Sequence, residues 1–154
     1  MNNPICLDSS VIIKYLTWED GSEEAVDLMN SIIEKDQTIV LPDFAWVEIG
    51  SVLRKKVRRN EIKSEEAEEI WQLFCRLKII NYVQDDNIIN LAWQISNEEN
   101  LPTLYDAAYI AVAKVNSSED KPCEFWTADE KLINSLTNKD NIKLLTADYS
   151  NKQR

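Results

Sequence analysis

The sequence predicts an α/β fold of the three-layer α/β/α kind, with a mostly parallel central sheet. Two observations carry that expectation: short, unbroken apolar runs recur along the chain, and amphipathic stretches with helical spacing separate them. Strands buried on both faces read as continuous apolar runs, and parallel strands need crossovers long enough to hold a helix. A third observation sets the domain count. With 154 residues, 44% hydrophobic and 29% charged, and no repeat or low-complexity tract, the chain is expected to form one domain over 1–149 with a short C-terminal tail, 150–154, to which any disorder is confined.

Pro4 to Leu7 is the first apolar run; it ends at Asp8, and Ser9 to Leu16 continues apolar, as a buried strand feeding a helix would. Ala25, Leu28, Met29, Ile32 and Ile33 give helical spacing over 22–35, and 38–42 reads as a second buried strand. Asp43 follows Pro42 and is expected to cap a helix over 44–58. Ala67, Ile70, Trp71 and Phe74 share one face of a helix over about 63–76, and a strand is expected over 78–83. Asp85 or Asp86 opens a helix through Ile88, Leu91, Ala92 and Ile95. A helix over about 105–115, a strand over 124–127, a helix over 130–136 and a last strand over 142–146 complete the chain. In open sheets of this kind ligands collect beyond the carboxyl ends of the strands, where strand order reverses. Asp8 and Asp129 stand at such ends.

Absences prune the chemistry. The chain has no histidine, which excludes Ser-His-Asp and Cys-His nucleophiles, histidine zinc sites and His-pair ribonuclease mechanisms. Its two glycines, Gly21 and Gly50, cannot build a P-loop or a dinucleotide fingerprint, so no nucleotide cofactor is expected. Cys6, Cys75 and Cys123 are odd in number and contain no Cys-x-x-Cys pair; buried reduced thiols are expected. The N-terminus lacks a basic start and apolar stretch, and no run reaches membrane-spanning length, so a cytoplasmic protein is expected.

Carboxylate remains in abundance. The net charge of −10 opposes binding to nucleic acid, whose non-specific affinity is attraction to phosphate. A bound divalent cation reverses the local sign at an acid cluster. Hard divalent ions prefer oxygen ligands, and three or four convergent acids would supply them. Without histidine, a water activated by such an ion is the natural nucleophile for phosphodiester hydrolysis.

The candidate acids each carry a plainer reading. Asp8, at the end of a strand, serves equally well as a helix cap. Glu48 does not, because its helical neighbours Phe44, Ala45, Ser51 and Val52 are apolar or small, and a carboxylate on a buried face costs several kcal/mol unless partnered. Thr103 and Asp106 have the spacing of a near capping box, yet 107–113 is apolar almost all round and so belongs to a buried helix. Asp129 lies inside a second candidate box, Thr127 to Glu130.

These residues fall in four stretches: Leu7-Asp8-Ser9-Ser10-Val11-Ile12-Ile13-Lys14-Tyr15, Val47-Glu48-Ile49-Gly50-Ser51-Val52-Leu53-Arg54, Pro102-Thr103-Leu104-Tyr105-Asp106-Ala107-Ala108-Tyr109-Ile110-Ala111-Val112-Ala113, and Phe125-Trp126-Thr127-Ala128-Asp129-Glu130-Lys131-Leu132. In that order the sequence resembles the PIN-domain family, and within it the VapC-like toxin ribonucleases. The resemblance implies a PIN fold and endoribonuclease activity dependent on Mg²⁺ or Mn²⁺, with Asp8, Glu48, Asp106 and Asp129 as catalytic, metal-holding acids. Ser10 and Thr127 match hydroxyl positions beside that site. It further implies an RNA substrate, a homodimer and inhibition by a small antitoxin protein.

Thr146-Ala147-Asp148 repeats the Thr-Ala-Asp pattern, so Asp148 competes with Asp129 for the fourth place; a helix is expected after Asp129 and none after Asp148. The basic run Arg54-Lys55-Lys56-Val57-Arg58-Arg59 is either a solvated face or a contact for phosphate or for an acidic stretch of a partner. Arg54, Lys55 and Arg58 are its candidate RNA-binding residues. Among rivals, a haloacid-dehalogenase-like phosphatase needs Asp-x-Asp where this chain has Ser10, and a receiver domain needs an acceptor aspartate after a middle strand. A non-catalytic PIN-like binding or scaffold protein is the remaining alternative.

Overall fold

Five short strands, β1 (Pro4–Leu7), β2 (Thr38–Pro42), β3 (Ile80–Val83), β4 (Glu124–Thr127) and β5 (Ile142–Leu144), form one sheet in the order β3-β2-β1-β4-β5, every neighbouring pair parallel. They belong to a computed structural model that describes residues 3–146. Seven helices lie among those residues: α1 (Ser9–Leu16), α2 (Ser22–Glu34), α3 (Ala45–Arg58), α4 (Ser64–Cys75), α5 (Asp86–Glu98), α6 (Tyr105–Val115) and α7 (Glu130–Ser135). The α/β/α expectation is met.

The chain steps outward from β1 to β2 to β3, then returns across the sheet to place β4 on the other side of β1. Because parallel crossovers are right-handed, reversing direction puts the later helices on the opposite face. Accordingly α1 packs with α2, α3 and α4, while α6 lies across β2, β1 and β4 with α5 against it. Sandwiched between sheet and α5, α6 is buried from Ala107 to Ala113 without a polar stripe. The core joins Ile5, Leu7, Ile39 and Leu41 of the sheet to Ile12, Ile49 and Val112 of the helices.

The expected boundaries shift by one or two residues, most at the start of β3 and the end of β5, and the helix entrances are built differently. Asp43 caps nothing: it lies in a turn and Phe44 is the residue before α3. Leu104 precedes α6 without a side-chain cap, so the Thr103–Asp106 box does not form. At α7 Asp129 itself is the cap, its Oδ1 accepting from Leu132 N at 3.2 Å, which leaves the Thr127 hydroxyl for another partner. Asp85 caps α5 through Asn87 N. With glycine so scarce, three helices are followed by left-handed Asp36, Asn60 and Asn100, at φ of 54°, 60° and 53°. Cys6 and Cys123 are buried as expected, but Cys75, in the last turn of α4, is exposed. Asp148 and the 150–154 tail lie outside the described residues.

Candidate functional site

The reversal of strand order falls between β1 and β4, and that seam builds the site. Leu7 pairs with Trp126, and Asp8 N donates to Trp126 O at 2.8 Å, so Asp8 emerges at the carboxyl edge level with Thr127. Asp8 occupies the N-cap position of α1 yet makes no side-chain cap bond; only 6% exposed, it turns to hydroxyls instead. Its Oδ2 accepts from Thr127 Oγ1 at 2.7 Å and Ser10 Oγ at 2.9 Å. Each hydroxyl oxygen in turn accepts a backbone N–H, from Asp129 at 3.0 Å and from Ala128 at 3.1 Å. A hydroxyl has one proton, so both protons are committed to Oδ2. Oδ1 takes the long contact from Ser9 Oγ, at 3.4 Å, and the Ser9 backbone N–H also supports the carboxylate.

Glu48, in the first turn of α3, is half-buried, and its Oε1 accepts from the Tyr109 hydroxyl at 2.8 Å. Asp106, in the first turn of α6, is also half-buried. Asp129 is exposed at the head of α7. All four acids therefore stand at helix N-termini, where partial positive charge favours carboxylate.

The acids feel one another. Burial pushes the Asp106 carboxyl up to about 6, aided by the charges of Asp8, Asp129 and Glu48. Burial likewise raises Glu48, against the Tyr109 hydrogen bond and with the Asp8 charge. Asp8 is raised by burial, opposed by the Thr127 and Ser10 hydroxyls and aided by the Asp129 charge. The Tyr109 phenol is itself raised, by burial first and then by Glu48, and remains a proton donor. Among the described residues no lysine or arginine pairs with any of the four.

This donor set suits a hard divalent cation: it is all oxygen, acidic and without a neutralising partner. The fit is one of chemistry and charge, since among the described residues no three acids form a finished ligand cluster. The structure thus gathers Asp8, Glu48, Asp106, Asp129, Ser10 and Thr127 at one edge of the sheet. It does not bring Arg54, Lys55 and Arg58 there. These are exposed on α3, Arg54 and Arg58 being about 9 and 15 Å along the axis from Glu48. Tyr109 was not singled out from the sequence; the available signal is a tyrosine inside an apolar helix, three residues after Asp106, whose hydroxyl needs a buried partner.

A second feature lies between α3 and α4, a groove of about 920 Å³. Trp46, Val47, Leu53, Val57 and Trp71 supply its apolar lining, and Trp46 is 50% exposed. Gly50 lets the helices close: a Cβ there would lie 3.1 Å from the Trp71 ring. Arg54 lines the groove on the α3 side and Glu65, Glu68 and Glu69 on the α4 side.

An acid-lined edge at the switch point of a five-stranded parallel sheet defines the class of α/β protein. The PIN domain family model matches residues 5–137, and the chain belongs to that family. The match includes all four acids and stops short of Asp148. The chain is 29% identical over 114 residues to Ribonuclease VapC3 of Pyrobaculum aerophilum, covering 71% of this chain and 81% of that protein. In fold it resembles a chain of a toxin-antitoxin complex from Klebsiella pneumoniae, with a TM-score of 0.61 at 15% identity over 90% of this chain and 94% of that one. It also resembles PAE2754 from Pyrobaculum aerophilum, with a TM-score of 0.55 at 18% identity over 89% of each chain.

Proposed function

We propose that this protein is a divalent-metal-dependent endoribonuclease that hydrolyses RNA phosphodiesters and serves as the toxin of a toxin–antitoxin pair. One observation carries the reading: Asp8 is buried at the strand-order switch on hydroxyl and backbone N–H partners, electrostatically coupled to three further acids and, among the described residues, to no cation. A scaffold has no use for so costly an arrangement. Membership of the PIN domain family and the likeness to Ribonuclease VapC3 support the ribonuclease.

Mg²⁺ or Mn²⁺ held by Asp8, Glu48, Asp106 and Asp129 would polarise the scissile phosphate and make an attacking water easier to deprotonate. The chain's own part is to hold the acids. Ser10 and Thr127 tie Oδ2 of Asp8, and Leu132 N ties Oδ1 of Asp129. Each of these carboxylates would present its other oxygen to the ligand. Burial withholds water from Asp8 and strengthens its field.

Arg54, Lys55 and Arg58 present exposed positive charge on the helix that carries Glu48, and we assign them to the RNA backbone. The α3/α4 groove, apolar below with opposite charges on its two sides, suits an amphipathic segment of an antitoxin. Ile89 and Trp93 on α5, 66% and 61% exposed, offer a face for a homodimer. Among the described residues no helix is long and apolar enough to cross a membrane, and action on cytoplasmic RNA is part of the proposal, as is a single domain over 1–149.

RNA cleavage measured with Mg²⁺ or Mn²⁺ tests the reading. Asp8→Asn and Asp106→Asn should abolish it; metal-independent cleavage, or undiminished activity in either variant, would refute it.

A further inference from the structure

Tyr109 brings one more buried hydroxyl to the site. It is 1% exposed, and its ring is fixed on two sides: stacked on Phe125 at 6.1 Å and 29°, and edge-on to Phe44 at 5.9 Å and 84°. Its hydroxyl reaches across from α6 to Glu48 Oε1 at 2.8 Å, spanning 61 positions of sequence. A phenol has one proton and here it points at one carboxylate oxygen.

Glu48 has three rotatable side-chain bonds and no ion pair among the described residues. Left alone, it would sample several rotamers. The aromatic stack removes that freedom from the phenol, and the phenol passes the constraint to Glu48.

We infer that Tyr109 is a positioning residue for the metal site: by holding Oε1, it presents Oε2 of Glu48 toward the cation. The assignment rests on the metal-site reading above. It parallels the way Ser10 and Thr127 hold Asp8, but through an aromatic stack rather than neighbouring backbone. Residues that orient a ligand commonly change metal affinity by ten- to a hundredfold, roughly, when removed.

Mn²⁺ titration calorimetry on the full chain, paired with thermal melting in chelator, provides the test. Tyr109→Phe keeps both ring contacts and loses only the hydroxyl. Affinity for Mn²⁺ should fall about tenfold, while the metal-free melting temperature stays within a few degrees. In a Glu48→Gln background the same change should cost nothing more, because the carboxylate it positions is gone. Unchanged affinity in Tyr109→Phe overturns the inference, and so does an equal further loss in the Glu48→Gln background, which marks a packing role. Glu48→Asp withdraws the carboxylate from the phenol without touching the stack and should reproduce the loss; wild-type affinity there also overturns it. Asp8→Asn separates the two levels. If Asp8→Asn binds Mn²⁺ as wild type does, or wild type binds none, the metal site fails and this inference with it. If Asp8→Asn loses affinity and Tyr109→Phe keeps it, Tyr109 alone is misassigned.

Discussion

The carboxyl edge of β1 and β4 and the groove between α3 and α4 are built on opposite principles. At the edge, charge is taken out of water and held by hydroxyls whose protons have nowhere else to go. In the groove, apolar surface is left in water: Trp46 and Val47 stay half-exposed, between Arg54 on one helix and three glutamates on the other. On the proposed function, the first spends stability on a fixed, small site for a hard cation, and the second leaves apolar area for a large partner to cover. Glu48 and the groove share α3, so one helix serves both, with Glu48 in its first turn and Arg54 to Arg58 in its later turns.

Breaking the edge should have the largest effect. Asp8→Asn should lower RNA cleavage by at least about a hundredfold, by analogy with what even outer partners of a metal contribute, while affinity for the antitoxin segment proposed for the groove is unchanged. Trp46→Ala should do the reverse, weakening that segment by about 2 kcal/mol, as loss of an aromatic anchor does, with cleavage intact; binding is read by titration and cleavage by RNA assay. If either variant impairs both functions equally, the two regions are not independent. Neutralising Arg54, Lys55 and Arg58 together should weaken RNA binding about tenfold and flatten its salt dependence, leaving Mn²⁺ affinity unchanged. Undiminished RNA affinity would return the basic run to a solvated face or a partner contact.

The smallest effect is on stability. Asp106 rises from an ordinary 3.8 to about 6 in the fold, so the native state holds its proton more tightly than the unfolded chain. That contribution is fully present below the unfolded value near 3.8 and is lost as pH rises through about 6. Burial raises Asp8 and Glu48 in the same direction. Metal-free protein should therefore melt higher at pH 5 than at pH 7, and Asp106→Asn should add on the order of 1 kcal/mol at pH 7, reduced from the full shift by solvent screening. A melting temperature that falls from pH 7 to pH 5 would contradict the coupling.

The strands and most helices were legible because each carries its own signal. Continuous apolar runs marked the strands, and residues 107–113, apolar on every side, announced a helix lying between sheet and helix. Helix entrances were read less well. Asp43, Thr103 and Thr127 all match capping patterns, yet Asp43 is idle, Thr103 does not cap α6, and Thr127 donates to Asp8. A capping motif is a local pattern, and a distant acceptor can outbid it.

The sequence by itself determined which chemistry was open: no histidine, almost no glycine, and acids at strand ends and on a helix face too apolar to be left without a partner. Local order along the chain was enough for that. Only the tertiary structure decided that Asp8 is buried between hydroxyls donated by both sides of the β1–β4 seam, that Tyr109 meets Glu48, and that Arg54 lies along the α3/α4 groove rather than at the acids. These contacts join residues up to 119 positions apart. They exist because strand order reverses at β1, a fact of packing that no local pattern encodes.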